Sequence, residues 1–336
     1  MRTSRFLAPL LALCLALAAL PALAADDPPC SPGLGIGLVE FPRGSKDPRA
    51  RSYIVDHVKA GTQFSRRFQV CNGTSTPLTV SLYPVAATVG NGSFALGLGH
   101  AANELSSWIT VEPDTLTVPP GGRLLARATL DVPADAETGE RYAVVVAERP
   151  GNPKQGLPVG SRVGIRVYLD VGSGSTPRSE FTVDSLQASR DGSGTAQVTA
   201  QVHNTGKRAV DLTGSLLLRD GPDGQKSGPY PAELGTTLAP GETEPVVVPI
   251  SSDVADGPWT AQLTVRSGVT ERRVQAPLTF PDAAGDQGPP VDVEALPTPN
   301  SNEINPLPVL GVGALVVALA LAAVVRRRRT GAIRAN

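Results

Sequence analysis

Histidine, cysteine, tryptophan and methionine are scarce in this 336-residue sequence: three His, three Cys, two Trp and one Met. His57, His100 and His203 lie far apart, no HExxH and no Cys-x-x-Cys occurs, and so the chain lacks the ligand spacing of a zinc site. A Gly-x-Ser-x-Gly elbow is missing, as is a glycine-rich phosphate loop ending in Gly-Lys-Ser/Thr. Asp191-Gly192-Ser193-Gly194 and Gly172-Ser173-Gly174 read as turns instead. The acid pairs Asp135/Glu137 and Glu242/Glu244 sit beside turn glycines, where carboxylates are solvated rather than held across a cleft. No catalytic residue, metal or cofactor is therefore expected. A net charge of −1 gives no reason to expect a nucleic acid. Long amphipathic helices are absent too, and 35 Gly with 32 Pro point to short elements joined by turns.

What is present begins with the two ends. Arg2 and Arg5 precede an apolar run from Phe6 to Leu20, and Ala22 and Ala24 supply small residues at the positions a signal peptidase reads, so 1–24 is expected to be a signal peptide. Leu307 to Val325 is 19 residues without a charge, about 29 Å as a helix, which is the thickness of a bilayer core. Arg326 to Arg329 follow it directly, the signature of a cytoplasmic flank. The sequence thus predicts a transmembrane helix at 307–325, a basic cytoplasmic tail at 326–336 and an extracellular body, with the lipid bilayer as a partner through Leu307 to Val325.

Between the ends the pattern is β. Phe64/Phe68/Val70 and Leu78/Val80/Leu82 alternate around Asn-Gly-Thr-Ser-Thr-Pro, a hairpin signal, and further runs cover Ile109 to Val118, Leu124 to Val132, Arg141 to Glu148 and Arg162 to Val171. Gly172 to Pro177 breaks the composition, and the same grammar restarts after it. The expected fold is all-β: two Ig-like antiparallel β-sandwich modules, 26–172 and 178–281, then a Pro/Gly-rich stalk at 282–306 and the C-terminal transmembrane helix.

The modules read as distant copies. Asn72 matches Asn204, Pro120-Gly121 matches Pro240-Gly241, and Gly139-Glu140-Arg141-Tyr142 matches Asp256-Gly257-Pro258-Trp259, which makes Trp259 the counterpart of Tyr142. About 12 additional residues lie in module one, placed by this reading in Ala87 to Trp108, either a contact surface or an inert loop. Tyr142 reads as a structural tyrosine at a sandwich corner, and the sequons at Asn72 and Asn91 as surface turns.

Once the signal is removed, Cys30 and Cys71 are the remaining cysteine pair. In an oxidising compartment they are expected to form a disulfide, with two free thiols as the alternative. Tyr83 and Trp108 flank the insertion and are the candidate ligand-binding residues, able to stack on sugar rings or else to pack at a sandwich edge.

The text FQVCNGTSTPLTVSLYPV, followed by WITVEPDTLTVPPGGRLLARATLDVPADAETGERYAVVVAERP, resembles the peptidoglycan-binding domain of the WxL-interacting proteins, over roughly Leu38 to Val171. The order of signal, second sandwich, stalk, span and basic tail also resembles that family. The resemblance implies a non-catalytic, membrane-anchored cell-surface protein that contacts peptidoglycan through module one and another surface protein through module two. Two alternatives stand beside it: an adhesion or assembly scaffold without wall affinity, and a surface hydrolase.

Overall fold

A computed structural model describes residues 30–151, 160–251 and 253–297. The described residues divide into two compact units, one up to 88 together with 94–176, the other 89–93 together with the residues from 177 on. Each is built from β-strands, so the all-β, two-sandwich expectation holds. The segments expected as signal peptide, transmembrane helix and basic tail lie outside the described residues.

The first unit packs one sheet of four strands, in the order β1 (Leu34–Leu38), β3 (Gln63–Asn72), β8 (Arg123–Asp131), β6 (Ile109–Glu112). The second sheet runs β2 (Ile54–Val58), β10 (Ser161–Val171), β9 (Gly139–Arg149), β4 (Leu78–Gly90), β5 (Ser93–Leu96), with β7 (Thr115–Val118) also on β4. Period-two alternation sends Phe68 and Val70, Leu78, Val80 and Leu82, Ala126, Ala128 and Leu130, and Ile165, Val167 and Leu169 into one core. Fully burying a side chain the size of Phe68, which is 0% exposed, contributes roughly 2–3 kcal/mol.

An antiparallel arrangement throughout was the expectation, and β2 departs from it by joining β10 in parallel. The chain reaches that position by crossing from one sheet to the other between β1 and β2. Pro42, Gly44 and Pro48 prevent a continuous strand there, and a 3-10 turn at Pro48–Arg51 is capped by Asp47, whose side chain accepts from the Arg49 amide.

The run Ala143 to Ala147 is buried on both sides. A strand that reads as continuous apolar text must have both faces covered. Ala143, Val145 and Ala147 face the core, whereas Val144 and Val146 join Val85, Ala87, Tyr83, Phe94 and Tyr142 in a smaller cluster on the outer face. Phe94 comes from the insertion, which is not a bare loop: residues up to Gly90 and from Ser93 to Leu96 are strand, and a short helix α1 (Glu104–Ser107) is capped by Asn103.

The second unit has sheets ordered β15 (Thr243–Pro249), β12 (Ala196–His203), β11 (Thr182–Arg190), β18 (Gln287–Asp292) and β14 (Ser227–Leu238), β13 (Val210–Arg219), β16 (Trp259–Ser267), β17 (Thr270–Leu278), β19 (Glu294–Leu296). Its strands extend into the expected stalk: β18 pairs with β11 and β19 with β17, so 287–296 belongs to the sandwich. The Pro and Gly that suggested a linker are edge-strand residues here, a position where a missing N–H costs nothing.

The internal repeat is visible in hydrogen bonds. Asn72 and Asn204 are both fully buried, and the residue before each Pro-Gly turn supplies a carbonyl to the asparagine side chain. Burial of Asn72 also corrects its reading as a surface sequon; Asn91 is exposed, at φ 51°. The Tyr142/Trp259 equivalence is corrected as well. Gly139 and Gly257 share a left-handed backbone, φ 133° and 120°, and counting from them places Arg141 opposite Trp259. A one-residue slip exchanges faces, so Trp259 fills the core while Tyr142 lies on the outer face.

Candidate functional site

Strand β10 reads SRVGIRVYLDV. Its odd positions from Val163 to Val171 pack on the core, and its even positions carry Arg162, Gly164, Arg166, Tyr168 and Asp170 on the other face. On one side β10 pairs with β9 along its whole length. On the other, β2 covers only Val167 to Val171. The Gly172 amide donates to the Val58 carbonyl at 2.8 Å, so the even-numbered peptide groups of β10 point towards the β2 side. The N–H and C=O groups of Arg162 and Gly164 therefore point to an edge that no described strand covers.

Side chains at the lip of this edge are apolar and half-buried. Val163 meets the core beside Leu34, Ile36 and Leu38 of β1, the edge strand of the facing sheet. The disulfide between Cys30 and Cys71 fastens the start of β1 to β3, where Gly35 pairs with Cys71. That pair is joined, as the sequence led one to expect.

Beyond the lip the outer face is built from arginine and aromatic rings. The Arg162 guanidinium donates to the Gly99 carbonyl at 2.7 Å, lies 5.7 Å from the Tyr83 ring centre and 3.8 Å from Glu148. Tyr83 stacks on His100 at 3.9 Å, and its hydroxyl donates to the Glu148 carboxylate. Burial, followed by that bond to a carboxylate, pushes the Tyr83 phenol above its ordinary value. Arg166 lies between Phe94 and Tyr53, at 4.7 and 5.5 Å. Four of the five tyrosines, Tyr53, Tyr83, Tyr142 and Tyr168, share this face.

The two residues singled out for sugar stacking are not brought together. The Tyr83 ring is taken up by His100 and Arg162, whereas Trp108 packs against the core with Arg141 5.2 Å over its ring. The histidines are likewise separate: His57 Nδ1 is 2.5 Å from Asp170, and His203 Nδ1 is 3.0 Å from Thr243. Among the described residues no three His, Cys, Asp or Glu side chains form a metal-sized cluster. The half-covered edge of β10 is not legible from the sequence, because alternation marks Arg162 to Val171 as a strand without saying what pairs with it.

Edges in the second unit are defended differently. β15 contains Pro245 and Pro249, β18 contains Pro289 and Pro290, β14 contains Pro229 and Pro231, and β19 is three residues long. Proline and brevity are the usual means of blocking strand addition. β10 contains neither.

No family model matches the sequence, and no curated protein matches it. Solved structures that match include the YadV chaperone, at 13% identity and a TM-score of 0.40 over 73% of this chain and 99% of that one. The Pseudomonas aeruginosa CupB2 chaperone matches at 14% identity and a TM-score of 0.34, over 67% and 97%. The Salmonella enterica SafA pilin in complex with the SafB chaperone matches at 11% and 0.38, over 80% and 98%. Likeness at this level concerns the two-sandwich fold alone.

These findings overturn the resemblance to the WxL-interacting proteins, and with it peptidoglycan as the partner. The physical reason lies in what carried it. The Asn-Gly-Thr and Pro-Gly landmarks build a buried asparagine turn that both units share, so they report the sandwich and not a wall ligand. The cell-wall, single-pass membrane placement and the bilayer contact are withdrawn with it: no helix among the described residues is long and apolar enough to cross a membrane, and Leu307 to Val325 lies outside them.

Proposed function

We propose that this chain is a non-catalytic binding protein that takes an extended segment of another protein along the edge of β10 by strand addition. One observation carries the reading: β2 covers β10 only from Val167 to Val171, so the peptide groups of Arg162 and Gly164 are offered to a partner strand. Main-chain pairing supplies affinity in this mode, and alternate side chains of the guest enter the lip between Val163 and β1. The proline-guarded edges of the second unit support the choice of the first unit as the binding one. The matched structures include a pilin in complex with its chaperone and the CsuC chaperone in complex with the tip adhesion subunit CsuE; the reading rests on the edge itself.

The test uses an extended peptide of about eight residues alternating valine and threonine, labelled for fluorescence anisotropy, against the purified chain. Arg162→Pro deletes an outward-pointing amide without touching the bonds to β9, and Arg162→Ala removes the same side chain while keeping the amide. Binding is expected in the wild type and in Arg162→Ala and lost in Arg162→Pro, with the Arg162 and Gly164 amides gaining protection from hydrogen exchange when the peptide is added. Equal binding by both variants, or no added protection, sinks the reading.

A further inference from the structure

The connector between β1 and β2 holds Arg43, Lys46, Arg49 and Arg51 against two acids, Glu40 and Asp47, a local charge of +2 in a chain whose net charge is −1. Arg43, Lys46 and Arg51 are exposed. Arg49 is not: it is buried against Asp47, 2.8 Å away, and lies over the Tyr168 ring. Glu40 is paired with Arg67 of β3, 3.2 Å away, so the connector keeps three cations in solvent with both of its acids already engaged. Its position follows from the pairing. β2 begins at Ile54 opposite Val167, so a strand added along Ser161 to Ile165 lies end to end with β2 and runs into the last residues of the connector. Arg162 stands on the outer face of that same edge, with Glu148 as the nearby acid.

From this arrangement we infer that the guest is an acidic extended segment, one that alternates apolar residues with Asp or Glu; the inference rests on strand addition at β10. Alternation is required because successive side chains of an added strand point to opposite faces. The inward set meets Val163, Leu34, Ile36 and Leu38, which are apolar and half-buried. The outward set meets Arg162, and the end of the segment runs towards the last residues of the connector, where Arg51 is exposed and Lys46 and Arg43 follow further back along the chain. Exposed cations of this kind attract an opposite charge over about 10 Å at 0.1 M salt and act on encounter rate and on the choice of partner.

Two peptides of about eight residues separate the possibilities, one alternating valine with glutamate and one alternating valine with lysine, each measured by anisotropy against the purified chain. In low salt the glutamate peptide is expected to bind at least about tenfold tighter, with the gap shrinking several-fold at about 0.5 M salt. The exposed triple variant Arg43→Glu, Lys46→Glu, Arg51→Glu is expected to reverse the preference, while Arg162→Pro abolishes binding of both peptides. Equal affinities in low salt, or a preference unchanged in the triple variant, overturn the acidic guest. If both peptides bind equally and Arg162→Pro still abolishes binding, strand addition stands without it. If neither peptide binds the wild type, strand addition and the acidic guest fall together.

Discussion

Asn72 and Asn204 make the same bonds in different units. Each side-chain amide donates to the carbonyl four residues ahead, Thr76 at 2.8 Å and Arg208 at 2.9 Å, and to a strand end, Val118 and Leu238, both at 3.0 Å. Each Oδ1 accepts a backbone amide two residues on, from Thr74 and from Gly206. One buried amide thus closes a turn and ties it to the strand before the Pro-Gly corner.

Replacing either asparagine by alanine removes two side-chain bonds to carbonyls and one from a turn amide at a fully buried position. Asn72→Ala and Asn204→Ala are each expected to cost roughly 2–4 kcal/mol in urea unfolding. The losses should fall in separate units. A change below about 0.5 kcal/mol for either variant contradicts the shared role.

The Cys30–Cys71 bond spans 41 positions. Closing a loop of that length restricts the unfolded chain by about 4 kcal/mol in the chain-entropy account. The Cys30→Ala, Cys71→Ala double variant should unfold at lower denaturant than the oxidised wild type, and reductant should move the wild type towards it. Coincident unfolding curves with and without reductant would show that the bond contributes no stability.

Tyr83 gives a test by pH. Its phenol is raised above the ordinary value of 10.0 by burial and by the bond to Glu148. The folded chain holds this proton more tightly than the unfolded chain does. The stability it contributes is therefore fully present below about pH 10 and is lost as the pH climbs through and above that range. Ultraviolet titration should show one tyrosine ionising late, and that step should be missing from Tyr83→Phe. Identical alkaline titration curves for the two proteins, once scaled for the number of tyrosines, would rule the shift out.

Much of the fold was legible in the text because it depends on local pattern. Alternation in Gln63–Asn72 and Leu78–Gly90, with Asn-Gly and Pro-Gly turns between runs, identifies strands wherever one face is buried. The apolar text from Ala143 to Ala147 needs both faces covered, and on the outer face Phe94 of the insertion joins Tyr83, Val85 and Tyr142 in that cover. The binding edge was illegible for the opposite reason: Arg162 to Ile165 looks the same whether or not a neighbour pairs with it. The same blindness affected 287–296, where Pro and Gly read as linker although the segment lies on the edges of two sheets. Landmark residues also misled about partners, since Asn72 and Pro120-Gly121 belong to the fold and say nothing of a ligand.

By itself the sequence determined the strand class, the two-unit repeat and the cysteines available to pair, because backbone period, turn chemistry and residue supply are properties of neighbouring residues. Only the tertiary structure decided that Tyr142 and Trp259 face opposite ways, that Asn72 is buried, and that β2 stops halfway along β10. Those outcomes depend on register and on pairing between segments more than 100 residues apart, such as Val58 and Gly172, and a chain carries no local mark of a partner that distant.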